Sequence, residues 1–137
     1  MRYLGLDVGT KTIGVAISDK TGLIASPLKV IRFDDINQGI KEVIQILKEF
    51  EIAEIVIGLP KNMDNTEGFA SKRSIEFENL LAKETEIQIS FIDERLTSVE
   101  AEKILINNGL RREKRKKQID ALAAVLILET YLKRKEK

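Results

Sequence analysis

Residues 4–19 read Leu4-Gly5-Leu6-Asp7-Val8-Gly9-Thr10-Lys11-Thr12-Ile13-Gly14-Val15-Ala16-Ile17-Ser18-Asp19. From Tyr3 to Val8 the run is apolar except for Asp7 and reads as a buried strand. Gly9-Thr10-Lys11-Thr12 is a turn, and Ile13 to Ser18 a second strand, so the chain starts as an antiparallel pair. An aspartate closing a buried strand calls for an explanation, because an unpaired carboxylate inside a core is costly. At the sheet edge its carboxylate would lie outside the core, with Gly9 allowing close backbone approach and Thr10 and Lys11 offering donors to a phosphate. The competing reading is a polar strand end that accepts backbone N–H groups in an ordinary hairpin.

Working outward, Asp19-Lys20-Thr21-Gly22 is a hairpin turn, and Leu23 to Arg32 is a third strand in which Pro27 points to an edge or a bulge. Ile36, Ile40, Val43, Ile44, Leu47 and Phe50 form a helical stripe over 36–50. Ala53 to Gly58 reads as a short apolar strand, 59–66 as a loop, and a helix follows that carries Phe77, Leu80 and Leu81. Ile87 to Ile92 is a fifth strand. Thr97 and Glu100 have capping-box spacing and predict a helix that ends near Asn108 and Gly109. A basic loop then leads to a last helix from about Lys117, with Ile119, Leu122, Ala123, Leu126 and Ile127 on one side. The order β-β-β-α-β-α-β-α-α predicts an α/β fold: a mixed five-stranded sheet with helices on both faces. The 137 residues suit one domain over 1–137.

Composition narrows the chemistry. Hydrophobic residues make up 43%, enough for a core and too many for a disordered chain. The longest apolar run, Ala121 to Leu128, is too short to span a bilayer. The N-terminus shows no secretion signal, so the cytoplasm is the expected location. The chain has no cysteine and no histidine. That excludes disulfides, thiol catalysis, a Ser-His-Asp triad and an ordinary zinc site. What remains is carboxylates, hydroxyls, Lys and Arg, and carboxylates hold hard ions such as Mg2+ or Mn2+.

Two further acidic positions join Asp7. Asp93-Glu94-Arg95 closes the fifth strand; alternation sends the two acids to opposite faces, so one of them is a ligand candidate. Glu94 is that candidate, with Arg95 to hold a phosphate; a surface ion pair between the two is the plainer reading. Asp120 lies in the first turn of the last helix, where the helix dipole alone would favour it. The small residues after it would let the helix lie close to the sheet and bring Asp120 toward Asp7. Two divalent ions about 4 Å apart can activate water and stabilise the leaving oxygen in phosphodiester cleavage, and they need carboxylates from several segments. Charge supplies the other half. Arg111–Gln118 carries +5 and Lys133–Lys137 carries +3 in a chain of net +1, leaving −7 elsewhere. Arg111, Arg112, Lys114, Arg115, Lys116 and Lys117 are therefore candidate contacts to a nucleic-acid backbone; the tail reads as a solvated end.

Four stretches, LGLDVGTKTIGVAISD, VIGLPKNMDNTEG, FIDERLTSVEAE and KKQIDALAAVLILETYL, resemble in this order the YqgF/RuvX family of RNase H-like proteins along nearly the whole chain. Members are described as Holliday-junction resolvases and as nucleases maturing the small-subunit ribosomal RNA precursor. The resemblance implies a sheet whose second strand is antiparallel, a catalytic and metal-binding set at Asp7, Glu94 and Asp120, and two Mg2+ or Mn2+ ions. It implies hydrolysis leaving a 5′-phosphate and a 3′-hydroxyl. It also brings in Asn62 of the middle motif as a nucleic-acid contact. A structured RNA precursor or branched DNA is the implied partner, with the chain a monomer or homodimer and no membrane involved. Sugar-kinase and actin-like ATPases resemble the chain at Asp7–Lys11, but they need two such lobes. A non-catalytic nucleic-acid-binding module is the other alternative; a polyanion binder gains nothing from three converging carboxylates.

Overall fold

The computed structural model describes residues 1–59, 69–93 and 112–135, without the side chains of 69–71 and 112–120. The predicted helix over 97–108, the middle-motif loop and the candidate site residues Glu94, Arg95, Asn62 and Arg111 lie outside the described residues. Five strands, β1 (Arg2–Val8), β2 (Thr12–Ser18), β3 (Ala25–Arg32), β4 (Ile52–Leu59) and β5 (Gln88–Asp93), form one sheet in the order β3-β2-β1-β4-β5. β2 runs antiparallel to both neighbours, while β4 is parallel to β1 and β5 to β4. The sheet is the mixed, five-stranded one expected. Pro27 falls on the edge strand β3, beside a register shift in which Val15 pairs with Lys29 and Ala16 with Pro27. It thus meets both conditions under which a sheet tolerates proline.

The expected third strand begins two residues late because Asp19 captures its start. The Asp19 carboxylate accepts the N–H groups of Leu23 (3.0 Å) and Ile24 (3.1 Å) and the Thr21 hydroxyl (2.5 Å). Gly22 completes the turn at φ +73°, a conformation that favours glycine. The donors, Thr21 first, hold the Asp19 carboxyl down at about 2.

Helix α1 (Ile36–Glu49) starts at Asp35, whose side chain accepts the Asn37 N–H (2.9 Å) while Gln38 reaches back to the Asp35 N–H (3.3 Å). Helices α1 and α2 (Phe69–Ala82) cover one face of the sheet, over Leu4, Leu6, Val8, Ile13, Ile55 and Ile57. The last helix, α3 (Arg112–Lys135), covers the other face, against Ala16, Val56 and Ile92.

Two expectations about α3 are corrected. The basic segment read as a loop is helical: Arg112, Lys114, Arg115, Lys116 and Lys117 lie in its first turns. Arg, Lys, Glu and Gln are good helix formers, and no glycine or proline interrupts the run, so propensity outweighs the unfavourable placement of cations at a helix N-terminus. The expected stripe holds in part: Ala123 and Ile127 are buried and Leu122 packs against the cluster under the helix, but Leu126 is only half-buried and Ala124, Val125, Leu128 and Leu132 join the buried set. Residues 121–128 are apolar all round, so periodicity could not select the face. Gly5 selects it: a Cβ there would stand 2.8 Å from the Leu128 Cβ and 3.0 Å from the Ala124 carbonyl oxygen, so α3 rests on bare backbone.

Candidate active site

Asp7 is the next-to-last residue of β1 and is partly buried. Its neighbours Leu6 and Val8 point into the core under α1 and α2, so alternation sends Asp7, with Gly5 and Tyr3, to the α3 face. Gly14 is its partner on β2. On β4 the residues facing α3 are Glu54 and Val56, and the same alternation gives Gly58 at the upper end, paired with Ile92 of β5. The carboxylate of Asp7 therefore stands between two positions that carry no side chain on its own face.

The register of α3 follows from its contacts. Tyr3 and Tyr131 pack against the same cluster, the Lys135 ammonium lies 5.1 Å from the Tyr3 ring centroid, and Gly5 meets Ala124 and Leu128. Going up β1 is thus going back along α3. Two more strand residues, about 6.6 Å, reach Asp7. Four helix residues back from Ala124, about 6 Å, reach the backbone position of Asp120, on the same stripe as Ala124. The side chain of Asp120 lies outside the description.

The turn after β1 is tied to the sheet at the same end. The Gly9 N–H donates to the Thr12 carbonyl (2.7 Å), and the Phe33 N–H to the Lys11 carbonyl (3.0 Å). The Lys11 ammonium, 72% exposed, lies 4.0 Å from an Asp34 carboxylate that is 96% exposed. Such a pair is weak and exchangeable, which leaves Lys11 able to meet a phosphate. Thr10 is exposed beside it. Asp93 ends β5 opposite Leu59. Ser90 and Ile92 face α3, so Asp93 falls on the other face. Among the described residues no group of three or more acids comes together as a metal site.

A carboxylate that the sequence reading passed over emerges instead at the other end of the sheet. The strand read as apolar contains Glu54, 4% exposed. Oε2 accepts the hydroxyls of Ser90 (2.6 Å) and Tyr131, and Oε1 accepts the Lys135 ammonium (3.3 Å). Burial pushes the Glu54 carboxyl up, but these three donors outweigh it and hold it below the ordinary range. Its partners stand 36, 77 and 81 residues away in sequence, so no spacing signals them. A lone acid in an apolar strand was the one available hint.

Comparison with known proteins places this geometry. The family model described as "RuvX: Holliday junction resolvase" matches residues 1–134. The chain belongs to the RuvX family. Membership makes it a nuclease, as the resemblance implied. A relative from Lactococcus lactis subsp. cremoris, named "Putative pre-16S rRNA nuclease", is 46% identical over 133 residues, covering 96% of this chain and 93% of that one. A relative of the same name from Clostridium tetani is 49% identical over 132 residues, 96% of each chain. Among solved structures, Thermus thermophilus RuvC in complex with a Holliday junction substrate aligns with TM-score 0.64 at 16% identity, over 100% of this chain and 97% of that one. At that identity the likeness shows the fold, the RNase H-like one. A ROK family protein from Streptococcus pneumoniae aligns with TM-score 0.50 at 17% identity, over 81% of this RuvX chain and 40% of that one. This chain thus aligns with less than half of that protein.

Proposed function

We propose that this RuvX protein hydrolyses phosphodiester bonds in the precursor of 16S rRNA at a site formed by Asp7, Glu94 and Asp120, with Mg2+ or Mn2+ as cofactor. The observation that carries the reading is the setting of Asp7: a strand-end carboxylate between two glycine positions, facing the helix stripe that holds Asp120. The donor set fits hard ions, since the three candidates are carboxylates and the chain has neither histidine nor cysteine. Asp93 falls on the face away from α3, so Glu94 is the acid of that pair assigned to the site. Gly58, next to the end of the strand between β1 and β5, places no side chain beside Asp7 on the α3 face.

When bound, the ions supply an activated water and charge stabilisation of the leaving oxygen. The chain does the rest. Asp7, Glu94 and Asp120 would hold the ions. Thr10 and Lys11 donate to the phosphate being cut. Arg111, Arg112, Lys114, Arg115, Lys116 and Lys117, with Asn62 and Arg95, hold the backbone on either side. Bound cations would offset the charge of an acidic site that works on a polyanion.

The relatives' name favours the RNA precursor, and the family description favours a four-way DNA junction. Both substrates are offered side by side to purified protein with Mg2+, Mn2+ or EDTA. Metal-dependent cutting of the precursor, abolished by EDTA, is the expected result. Cutting of the junction alone would replace the substrate, and tight binding without cutting would make the chain a binding module.

A further inference from the structure

Glu54 lies outside the proposed site. It is level with Tyr3, four residues down β1 from Asp7, or about 13 Å. Among the described residues it is the one buried acid, and nothing in the cleavage chemistry uses it. Its three partners come from two elements: Ser90 from β5, Tyr131 and Lys135 from α3. A single oxygen, Oε2, takes one hydroxyl from each.

These are the elements that deliver the other two acids. α3 carries Asp120, and β5 leads directly into Glu94. Among the described residues their other attachments to each other are slight. α3 packs on β1, β2 and β3 and touches β4 less, while β5 is the far edge strand. Ile92 shares the apolar cluster under α3, but apolar contact is non-directional and permits sliding. Hydrogen bonds to one carboxylate oxygen do not.

We infer that Glu54 is a positioning residue of the nuclease, which fixes α3 against β5 and thereby the separation of Asp120 and Glu94. This rests on the acid site proposed above. The Glu54 carboxylate stays ionised at neutral pH and so keeps its full acceptor capacity, because its donors outweigh burial. The Tyr131 hydroxyl, pushed up by burial and by its bond to Glu54, stays a donor.

The test uses the full chain with Tyr131→Phe, which keeps the ring and removes the hydroxyl, and Glu54→Gln. Mn2+ affinity is measured by calorimetry without nucleic acid, kcat and KM are determined separately, and Tm is recorded. Tyr131→Phe is expected to weaken Mn2+ binding and lower kcat about tenfold each, through a displacement of the acids well under about 1 Å, with KM unchanged. A lowered Tm with wild-type Mn2+ affinity and kcat would make the clasp merely structural and overturn the inference. Should Glu54→Gln fail to fold, Tyr131→Phe decides alone. Wild-type protein that binds no Mn2+ would sink the metal site and this inference together. Wild-type binding matched by both variants would sink the inference only.

Discussion

Gly5→Ala probes the spacing on which the site depends. The added methyl would stand 2.8 Å from the Leu128 Cβ and 3.0 Å from the Ala124 carbonyl oxygen. Carbon atoms are comfortable at about 3.5–4.0 Å, so α3 must retreat by about 1 Å. Neither obstacle can rotate aside, since one is main chain and the other is the first side-chain atom. Overpacking of this kind costs about 1–3 kcal/mol, a Tm loss of roughly 3–12 °C in a chain of this size. The stability loss leaves the protein folded at 25 °C, but Asp120 moves with the helix, one turn from the obstruction. A 1 Å misplacement of catalytic groups costs about 100-fold in rate. Single-turnover cleavage at saturating protein, with Tm from calorimetry, should show a rate about 100-fold down and nucleic-acid binding retained. A wild-type rate in a variant with the lowered Tm would refute the dependence of the chemistry on the seat of α3. A wild-type Tm would refute the close contact itself.

Asp7→Asn should reduce cleavage to background while Tm stays within a few degrees of wild type, because the side chain keeps its size and loses a metal-binding charge; full activity by gel assay would end the mechanism. Replacing Lys114, Arg115, Lys116 and Lys117 by Ala should weaken nucleic-acid binding and flatten its dependence on log salt by up to about 0.7–0.9 per lost phosphate contact, and an unchanged slope in filter binding would return these residues to solvent. The Asp19 turn should respond to acid. Its carboxyl is depressed from 3.8 to about 2 in the folded chain, so its stabilisation is complete above the unfolded value and fades as pH falls from about 4 through 2. Protection of the Leu23 and Ile24 amides, taken relative to their intrinsic exchange rates, should fall over that window and not in Asp19→Asn; equal pH profiles would contradict the capture of those amides.

Much of the fold was legible because the strands are short apolar runs with clear breaks. Asp19–Gly22 and Gly9–Thr12 mark the first two turns, and Pro27 identifies an edge strand before any pairing is known. Asp7 was legible for the same reason, as the one charge in its run. The sheet-facing side of α3 was legible only in part, because 121–128 offers apolar residues in every direction and the choice is made by a glycine on a distant strand. The helical start of α3 was hidden by its charge, which suggests a loop although each residue favours a helix. Glu54 was missed because a buried acid is recognised by its partners, and these meet it only after folding. Glu94 stands beside Asp93 in sequence, and only the side chains of Ser90 and Ile92 settle which face Asp93 takes.

The most direct test of the acid site is a crystal structure with Mn2+ and a bound nucleic acid, in which anomalous scattering locates the ions. Manganese ligated by the carboxylates of Asp7, Glu94 and Asp120, against a phosphate, is the expected result. Manganese away from Asp7, or Asp120 and Glu94 standing apart from it with the nucleic acid in place, would contradict a nuclease site built by these three residues.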